Sequence, residues 1–322
     1  MEARTTNAGF LIFSNPTHME PLTLHILGCG SARPTHKHNP SSQVLDCRGK
    51  LFMIDCGEGT QVAFTRNRLN MNRLGHIFIS HNHGDHVFGL PGLVCTMSLM
   101  GRTADLHIHA PADVKPLLEM VEQHYCECLG YKLVFHPVDT AANTLVHEDR
   151  SLEVWSLPLR HRVPCCGYLF REKPLLPHIR REMIDAFHIP FSQINNIKNG
   201  SGWTTPDGTF LPHEKLTTPA DPPRSFAYCS DTLYMPALAP LLKDVTLLYH
   251  EATYTSEMEQ RAKQNAHSTA AQAARIALAA QASRLCIGHY SACIDDENAL
   301  LQEARAIFPR TILAREGMQI HL

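Results

Sequence analysis

Short apolar runs, rich in branched and aromatic residues and bounded by polar turns, recur along most of the chain. Runs of this kind are typical of buried β-strands, and they lie at residues 22–27, 42–45, 51–54, 76–80, 106–109, 133–137, 152–157, 226–229, 245–249 and 285–287. Apolar residues recur at helical spacing in stretches near 61–66, 90–97, 111–123, 268–280 and 295–308. This alternation predicts an α/β (α+β) protein in which helices cover sheets.

Two parts of the chain lack this pattern. Residues 1–20 have no periodicity, and Met19 stands just before the first predicted strand. We therefore expect an N-terminal extension ahead of one domain at residues 21–322. Residues 171–224 contain many prolines and no long apolar period. We expect them to form an inserted arm with one small helix near residues 180–187 and no second core.

Composition sets broad limits on the class of protein. The chain has 322 residues, of which 44% are hydrophobic, so it can bury a sizeable core. The net charge of -2 gives no global basic signature, and a nucleic acid would have to be attracted by local patches or by metal ions. The 11 cysteines are scattered and no secretory signal is evident, which favours reduced thiols and a cytoplasmic location. No apolar run approaches the roughly 18 residues of a membrane span.

The densest chemical motif is His81-x-His83-x-Asp85-His86, which places four possible metal ligands within six positions. It follows the apolar run 76–80 and precedes a stretch of helical spacing in which Pro91 suits the first turn. Gly84 would let the loop turn without a side chain in the way. A single surface His-x-His would usually be an ordinary polar loop, but this set at a strand end favours zinc or a similar divalent ion.

Three further candidates, His161, Asp231 and His289, also follow strand-like runs. A four-layer fold with two sheets between helices would bring these strand ends to one edge. Taken alone, His161 and His289 would more often be ordinary polar residues, but as members of a set they suit a two-zinc site. The ligands would then be His81, His83 and His161 for one ion, Asp85, His86 and His289 for the other, and Asp231 as a bridge between them.

A second pair, Glu251 and His267, lies in two segments that we expect beside the metal site. A histidine that binds no metal can protonate a leaving oxygen, and a carboxylate can orient that histidine. His267 can equally be a helix-start residue next to Ser268, the predicted cap of the helix at 268–280. The two metals would hold a shared hydroxide and clamp a phosphate, as in-line phosphodiester cleavage requires.

Together these residues resemble the metallo-β-lactamase superfamily and, within it, the ribonuclease Z family of tRNA 3′-processing endonucleases. The similarity begins near Leu22 and covers nearly all of the remaining chain. The first metal motif is typical of the whole superfamily, whereas His-Glu-Ala-Thr at 250–253 paired with His-Ser-Thr at 267–269 is more specific to ribonuclease Z. The other segments that carry the similarity are 55–61 (Asp-Cys-Gly-Glu-Gly-Thr-Gln), 88–92 (Phe-Gly-Leu-Pro-Gly), 167–168 and 230–232.

The resemblance implies a four-layer αββα sandwich with an inserted flexible arm, two zinc ions per chain and, usually, a homodimer. It implies an endoribonuclease that removes the 3′ trailer of precursor tRNA by two-metal hydroxide attack, leaving a tRNA 3′-hydroxyl and a trailer 5′-phosphate. By position, Asp85 would also accept the proton of the attacking water, His267 would act on the leaving group and Glu251 would hold His267. The arm at 171–224 would grip the tRNA elbow.

Two other functions remain open at this point. The first is another hydrolase on the same scaffold, such as a small-molecule phosphodiesterase, arylsulfatase or lactonase, although such substrates need no distant arm. The second is a metal-bearing RNA-binding protein without activity, although every ligand position is filled. Residues 171–181 carry four basic side chains against one acidic, a local charge of +3 that suits either a solvated face or a small phosphate contact.

Overall fold

The computed structural model describes residues 22–125 and 129–322, so the predicted N-terminal extension lies outside the described residues. Two seven-stranded sheets dominate the fold. The strands are numbered along the chain, and the first sheet has the order β18-β1-β2-β3-β4-β5-β6. Its strands are β1 (Leu22–Gly28), β2 (Ser42–Cys47), β3 (Lys50–Cys56), β4 (Leu74–Phe78), β5 (Leu106–Ala110), β6 (Leu133–Pro137) and β18 (Gln319–His321).

The second sheet has the order β17-β16-β15-β14-β9-β8-β7. Its strands are β7 (Leu145–Glu148), β8 (Leu152–Pro158), β9 (Cys166–Glu172), β14 (Ser225–Cys229), β15 (Leu247–Glu251), β16 (Arg284–Gly288) and β17 (Thr311–Leu313). The helices of the main body are α1 (Thr60–Arg66), α2 (Gly84–Val87), α3 (Leu90–Leu99), α4 (Lys115–Tyr125), α8 (Glu259–Asn265), α9 (Ala270–Ala279) and α10 (Asn298–Ile307).

Two hydrophobic clusters define four layers. The larger cluster joins the inner faces of the sheets, where Phe78 packs edge-on against Tyr168 and Phe170, and it continues through the second sheet to α9 and α10. The smaller cluster joins the outer face of the first sheet to α1, α3 and α4. The predicted αββα sandwich is confirmed, because each sheet buries apolar side chains on both faces.

Each sheet combines an antiparallel half with a parallel half, and the parallel halves position the candidate ligands. Strands β3 to β6 are parallel to one another, and so are β14 to β17. Parallel strands end at the same edge of a sheet, which is where open α/β sheets place their ligands. The loops after β4, β14 and β16 therefore bring their polar residues to one edge.

Most predicted strands and helices are present with shifts of one or two residues at their ends. The sequence predicts Ser268 and Asp295 as helix caps, and both predictions are wrong. Thr269 caps α9 in a capping box with Gln272, and α10 begins after Glu297. Ser268 instead donates its hydroxyl to the Thr232 carbonyl, a tertiary contact that a local pattern does not indicate. Short strands such as β7 and β17 carry too few residues for a clear alternation.

The segment between β9 and β14 contains short elements only, in line with the predicted arm, whose status as a separate unit stays a prediction. Buried Ile189, Ile197 and Leu216 form a small cluster of its own. The elements are β10 (His178–Ile179), α5 (Arg181–Ala186), α6 (Phe191–Lys198), β11 (Trp203–Thr204), β12 (Phe210–Leu211), α7 (His213–Leu216) and β13 (Thr217–Thr218). Within the described parts of the chain, no helix has the length and apolarity to cross a bilayer.

A buried ion pair closes the root of this segment. The Arg224 guanidinium donates to both carboxylate oxygens of Glu172, at 2.7 and 2.8 Å, and the Arg224 backbone N–H donates to the same carboxylate at 3.0 Å. Glu172 is the last residue of β9, and Arg224 directly precedes β14. This bidentate contact therefore fixes the two ends of the segment to each other.

We expect Glu172→Ala to lower the free energy of unfolding by about 3–5 kcal/mol, because it leaves the Arg224 guanidinium buried opposite an empty position. Urea unfolding followed by circular dichroism measures the loss. The matched control is Lys173→Ala at the next residue of the chain, which removes a more exposed ion pair, that of Lys173 with Glu148. This variant should lose only about 0–1 kcal/mol of the free energy of unfolding. Equal losses in the two variants would contradict a special role for the Glu172–Arg224 pair.

Candidate metal centre

The loop after β4 carries four of the seven predicted ligands, and a buried carboxylate shapes it. Asp55, at the end of β3, accepts hydrogen bonds from the Ser80 N–H at 2.7 Å and from the Ser80 hydroxyl at 2.9 Å. The chain then turns into the short helix α2, which contains Asp85 and His86. Gly84 does not take a positive φ; instead, the Phe88 ring lies 2.3 Å from the position a Cβ would take. A side chain at this position would therefore be in the way, which confirms the predicted reason for this glycine.

The first group of donors comprises His81, His83 and His161. The Nε2 atom of His81 lies 3.0 Å from Nδ1 of His83, which in turn lies 3.3 Å from Nε2 of His161. Nδ1 of His83 cannot form good hydrogen bonds to both neighbours, because an imidazole nitrogen carries either one hydrogen or one lone pair. Nitrogen ligands of a tetrahedral zinc, at about 2.0–2.1 Å from the ion, lie roughly 3.3 Å apart, which matches this spacing.

The second group comprises Asp85, His86 and His289. Oδ2 of Asp85 lies 3.5 Å from Nε2 of His86 and 3.6 Å from Nε2 of His289. Asp231 lies between the two groups and turns one carboxylate oxygen to each. Its Oδ2 is 3.7 Å from His81 and 3.8 Å from His161, whereas its Oδ1 is 3.6 Å from His86 and 3.1 Å from His289. The structure thus brings all seven predicted ligands together.

Several of these donor atoms have no other use. Nε2 of His86, Nε2 of His289 and Oδ1 of Asp231 are buried, and no group among the described residues forms a hydrogen bond with them. A buried polar atom without a partner costs free energy unless a ligand satisfies it. Imidazole nitrogens and carboxylate oxygens are the donors that suit zinc, so the residues fit the metal ions that the family resemblance implies.

Three of the predicted ligand histidines have their opposite ring nitrogen held by the protein. His86 Nδ1 lies 2.7 Å from Asp55, His289 Nδ1 lies 3.0 Å from the Thr253 hydroxyl, and His161 Nδ1 lies 3.0 Å from the Ala266 carbonyl. Such contacts fix the tautomer and aim the free nitrogen at a metal. The sequence prediction missed Asp55 and Thr253 as functional residues. Asp55 belongs to the 55–61 segment, whose resemblance to the family was the available signal.

A second buried carboxylate, that of Glu251, organises the neighbouring pair. It accepts hydrogen bonds from the backbone N–H groups of Thr232, Thr253 and Ser268 and from the Thr253 hydroxyl. It also lies 2.9 Å from His267 Nδ1. Glu251 therefore ties the loop of Asp231, the support of His289 and the His267 side chain to one point.

Electrostatics separates the roles of these groups. Burial alone would lower the pKa of His86, but the carboxylates of Asp85, Asp55 and Asp231 raise it well above its ordinary value. This negative potential is the environment that a divalent cation would occupy. Burial would likewise lower the pKa of His267, but the Glu251 carboxylate raises it to about 9. At neutral pH His267 is therefore a proton donor.

An open cleft of about 390 Å³ leads to these residues. His83, Asp85, Asp231 and His267 line its floor. Its walls carry residues that the sequence prediction did not single out, namely Arg33, Glu58, Phe88 and Arg162. Two guanidinium groups beside the donor sets suit an anionic substrate, and the exposed Phe88 ring offers an apolar face.

Two central sheets between helices, with histidine and aspartate donors gathered at one edge, define a metal-binding protein of the metallo-β-lactamase fold. Curated relatives are similar along almost their whole length. The chain is 53% identical to ribonuclease Z of Bacteroides thetaiotaomicron over 302 residues, covering 94% of this chain and 96% of the relative. It is 49% identical to ribonuclease Z of Porphyromonas gingivalis W83, covering 94% of this chain and 100% of the relative. The chain belongs to the ribonuclease Z family.

Solved structures agree on the fold. The human short-form tRNase Z, ELAC1, superimposes with a TM-score of 0.66 at 25% identity, covering 92% of this chain and 98% of that one. The metallo-β-lactamase fold protein YhfI of Bacillus subtilis gives the same TM-score at 17% identity, covering 94% of this chain and 100% of that one. A family model described as Anti-Pycsar protein Apyc1 matches residues 22–120, the part that contains β1 to β5 and the first metal motif.

We expect Asp55→Asn to weaken zinc binding about 10–100-fold, because the amide removes the negative charge that orients and polarises His86. Titration of metal-free protein against a chromogenic chelator measures the affinity. Glu58→Gln is the matched control, since Glu58 lines the same cleft and is no member of the donor groups. If neither Asp55→Asn nor the control changes the zinc affinity, Asp55 does not contribute to metal binding.

Proposed function

We propose that this chain is a zinc-dependent endoribonuclease that removes the 3′ trailer of precursor tRNA. Two observations support the proposal. The relatives named above are ribonucleases Z, and the chain shares about half of its residues with them over nearly their whole length. The donor arrangement, with Asp231 facing both groups, suits two metal ions.

The proposed ligands are those given by the sequence: His81, His83 and His161 for one ion, Asp85, His86 and His289 for the other, and Asp231 for both. Zinc ions bound there would lower the pKa of water to about 7 and offset the charge of the scissile phosphate. The chain's own contribution is to hold these seven donors, four of them buried, at fixed spacing; the buried four are His81, His86, Asp231 and His289.

Two side chains would handle the protons. Asp85 lines the cleft and is ionised, because His86 and His289 hold its pKa well below its usual range despite burial. The family resemblance gives it the further role of accepting the proton of the attacking water. His267 lines the same cleft and would donate a proton to the 3′ oxygen that leaves. Glu251 would hold His267 in its charged form. The products are a tRNA 3′-hydroxyl and a trailer 5′-phosphate.

The deciding experiment maps the cut position on a precursor tRNA that carries a 3′ trailer. We expect one cut behind the discriminator base, with a 3′-hydroxyl on the tRNA and a 5′-phosphate on the trailer. Asp231→Ala, purified in parallel, should not cleave. Bis-p-nitrophenyl phosphate separates the alternative of a small-molecule phosphodiesterase, and hydrolysis of that ester alone would reject the tRNA substrate.

We expect His267→Ala to slow precursor cleavage about 10²–10⁴-fold with unchanged zinc content, because the ribose oxygen needs a proton to leave. Hydrolysis of bis-p-nitrophenyl phosphate should suffer much less, since p-nitrophenolate leaves without one. His36→Ala, in a neighbouring cleft, is the control and should cleave normally. Equal losses on both substrates would argue that His267 supports the metals instead of the leaving group.

We further propose that the segment 171–224 is an arm that grips tRNA away from the metal centre. Phe191 is 90% exposed on α6, and Arg181 and Lys215 are exposed on α5 and α7. Much of the positive charge predicted near the root is engaged elsewhere, since Lys173 pairs with Glu148 and Arg180 donates to the Thr217 carbonyl. The outer face, with its aromatic ring and cations, is therefore the better candidate for the RNA contact.

The double variant Arg181→Glu with Lys215→Glu tests this contact. We expect its KM for precursor tRNA to rise at least about 10-fold, because two attractive phosphate contacts become repulsive. Its kcat/KM for bis-p-nitrophenyl phosphate should not change. Lys243→Glu, an exposed reversal just before β15, is the control. If the control impairs tRNA cleavage as much as the double variant does, the arm has no specific role.

A homodimer and a cytoplasmic location complete the proposal. Seven buried cysteines carry free thiols, as expected in a reducing compartment; they are Cys29, Cys47, Cys56, Cys165, Cys166, Cys229 and Cys286. The neighbouring helices α1 and α3 expose Val62, Leu99 and Met100, at 52%, 89% and 60%. Apolar residues exposed together suit a subunit interface.

We expect light scattering to give twice the chain mass, and Leu99→Glu to shift the protein to monomer, because a charge would be buried in the interface. Leu278→Glu is the matched control, since Leu278 is 56% exposed on α9, on the other side of the sandwich. A monomeric parent protein at micromolar concentration would exclude the dimer, and dissociation by the control alone would move the interface to α9.

A further inference from the structure

A second group of histidines, none of them among the seven predicted ligands, lies between the two sheets. His76 on β4, His107 and His109 on β5 and His136 on β6 share one face of the first sheet, because the register pairs His76 with His107 and His109 with His136. His147, on the edge strand β7 of the second sheet, faces them. We call these five residues the histidine cluster.

Three members of the histidine cluster converge. His76, His109 and His147 each offer a ring nitrogen, and these three atoms lie within 4.8 Å of one another. Nδ1 of His76 is 3.1 Å from Nε2 of His109, and the ring centroids of His76 and His147 are 4.1 Å apart. The other two members, His107 and His136, form a separate hydrogen-bonded pair at 2.9 Å.

The convergence leaves polar atoms without partners. Nε2 of His147 is buried, and no group among the described residues forms a hydrogen bond with it. His109 is 2% exposed, and the nitrogen that it turns into the group is Nε2, which lies 3.1 Å from Nδ1 of His76. Apolar side chains of the same size would pack between two sheets without this cost, as Phe78 and Phe170 do nearby. A ligand that takes imidazole nitrogen would account for the histidines.

We propose that His76, His109 and His147 form a further metal site, separate from the catalytic centre, that takes one divalent ion of the zinc, nickel or copper class. These ions prefer imidazole ligands, whereas magnesium and calcium prefer oxygen. The ion would join β4 and β5 of the first sheet to β7 of the second, and would hold the edge strand β7 in place. This site does not depend on the proposed function.

Zinc content at buffered micromolar free zinc tests the site, with His147→Phe as the variant. Phenylalanine keeps an aromatic ring beside Phe52 but provides no nitrogen. His136→Phe is the matched control, because it changes another ring of the same cluster that is outside the converging group. We expect His147→Phe to bind one zinc ion fewer per chain than the parent protein, and His136→Phe to bind the same number. Hydrolysis of bis-p-nitrophenyl phosphate should be unchanged in both variants.

Crystals of the parent protein grown with zinc give a direct second measurement that needs no variant. We expect an anomalous difference peak at the zinc edge between the three rings, in addition to any peak at the catalytic centre. Equal zinc content in the parent protein and His147→Phe would overturn the proposal, and so would crystals with no peak between these rings. A loss of zinc in His136→Phe equal to that in His147→Phe would also overturn the assignment of these three ligands.

Discussion

Two buried carboxylates, Asp55 and Glu251, hold together the loops that carry the candidate metal ligands. The candidate centre gathers five imidazoles and two aspartates from both sheets, and several of the donor atoms form no hydrogen bond with any described residue. Such an arrangement is costly without metal. Asp55 joins β3 to the loop of His81 and His86 and to Tyr228 on the other sheet, while Glu251 joins three strand-end loops. These tertiary hydrogen bonds hold the donors in place.

The same two carboxylates relate fold to chemistry. Asp55 contacts Nδ1 of His86, the ring nitrogen that faces away from the other donors, so its charge acts on the candidate centre through the His86 ring. Glu251 acts on the metal side through Thr253 and His289 and on the proton-donor side through His267. A change at either carboxylate therefore affects both the spacing of the ligands and the protonation of their neighbours. The segment between β9 and β14 is closed by another buried carboxylate, that of Glu172, whose ion pair with Arg224 joins the two ends of the segment at the second sheet.

The strongly patterned parts of the fold could be predicted from the sequence. Strands such as 133–137 and 152–157 have clear apolar runs, and their predicted ends agree with β6 and β8 to within one residue. The predictions failed where a residue could form either a local or a tertiary contact and formed the tertiary one. Ser268 could cap a helix, but its hydroxyl donates a hydrogen bond to the Thr232 carbonyl, and Thr269 is the N-cap of α9. The small cluster of Ile189, Ile197 and Leu216 inside the arm was not foreseen, because its members come from separate short elements.

The sequence by itself determined which candidate ligands share one loop, because His81, His83, Asp85 and His86 are close in the chain and need little folding to meet. It also indicated His161, Asp231 and His289, since each follows a strand and parallel strands end at one edge. Only the tertiary structure decided which oxygen of Asp231 faces which group, which nitrogen of each histidine is free, and that Asp55 stands behind His86. Those choices depend on side-chain directions across more than a hundred residues of chain, and no local pattern of apolar and polar positions encodes them.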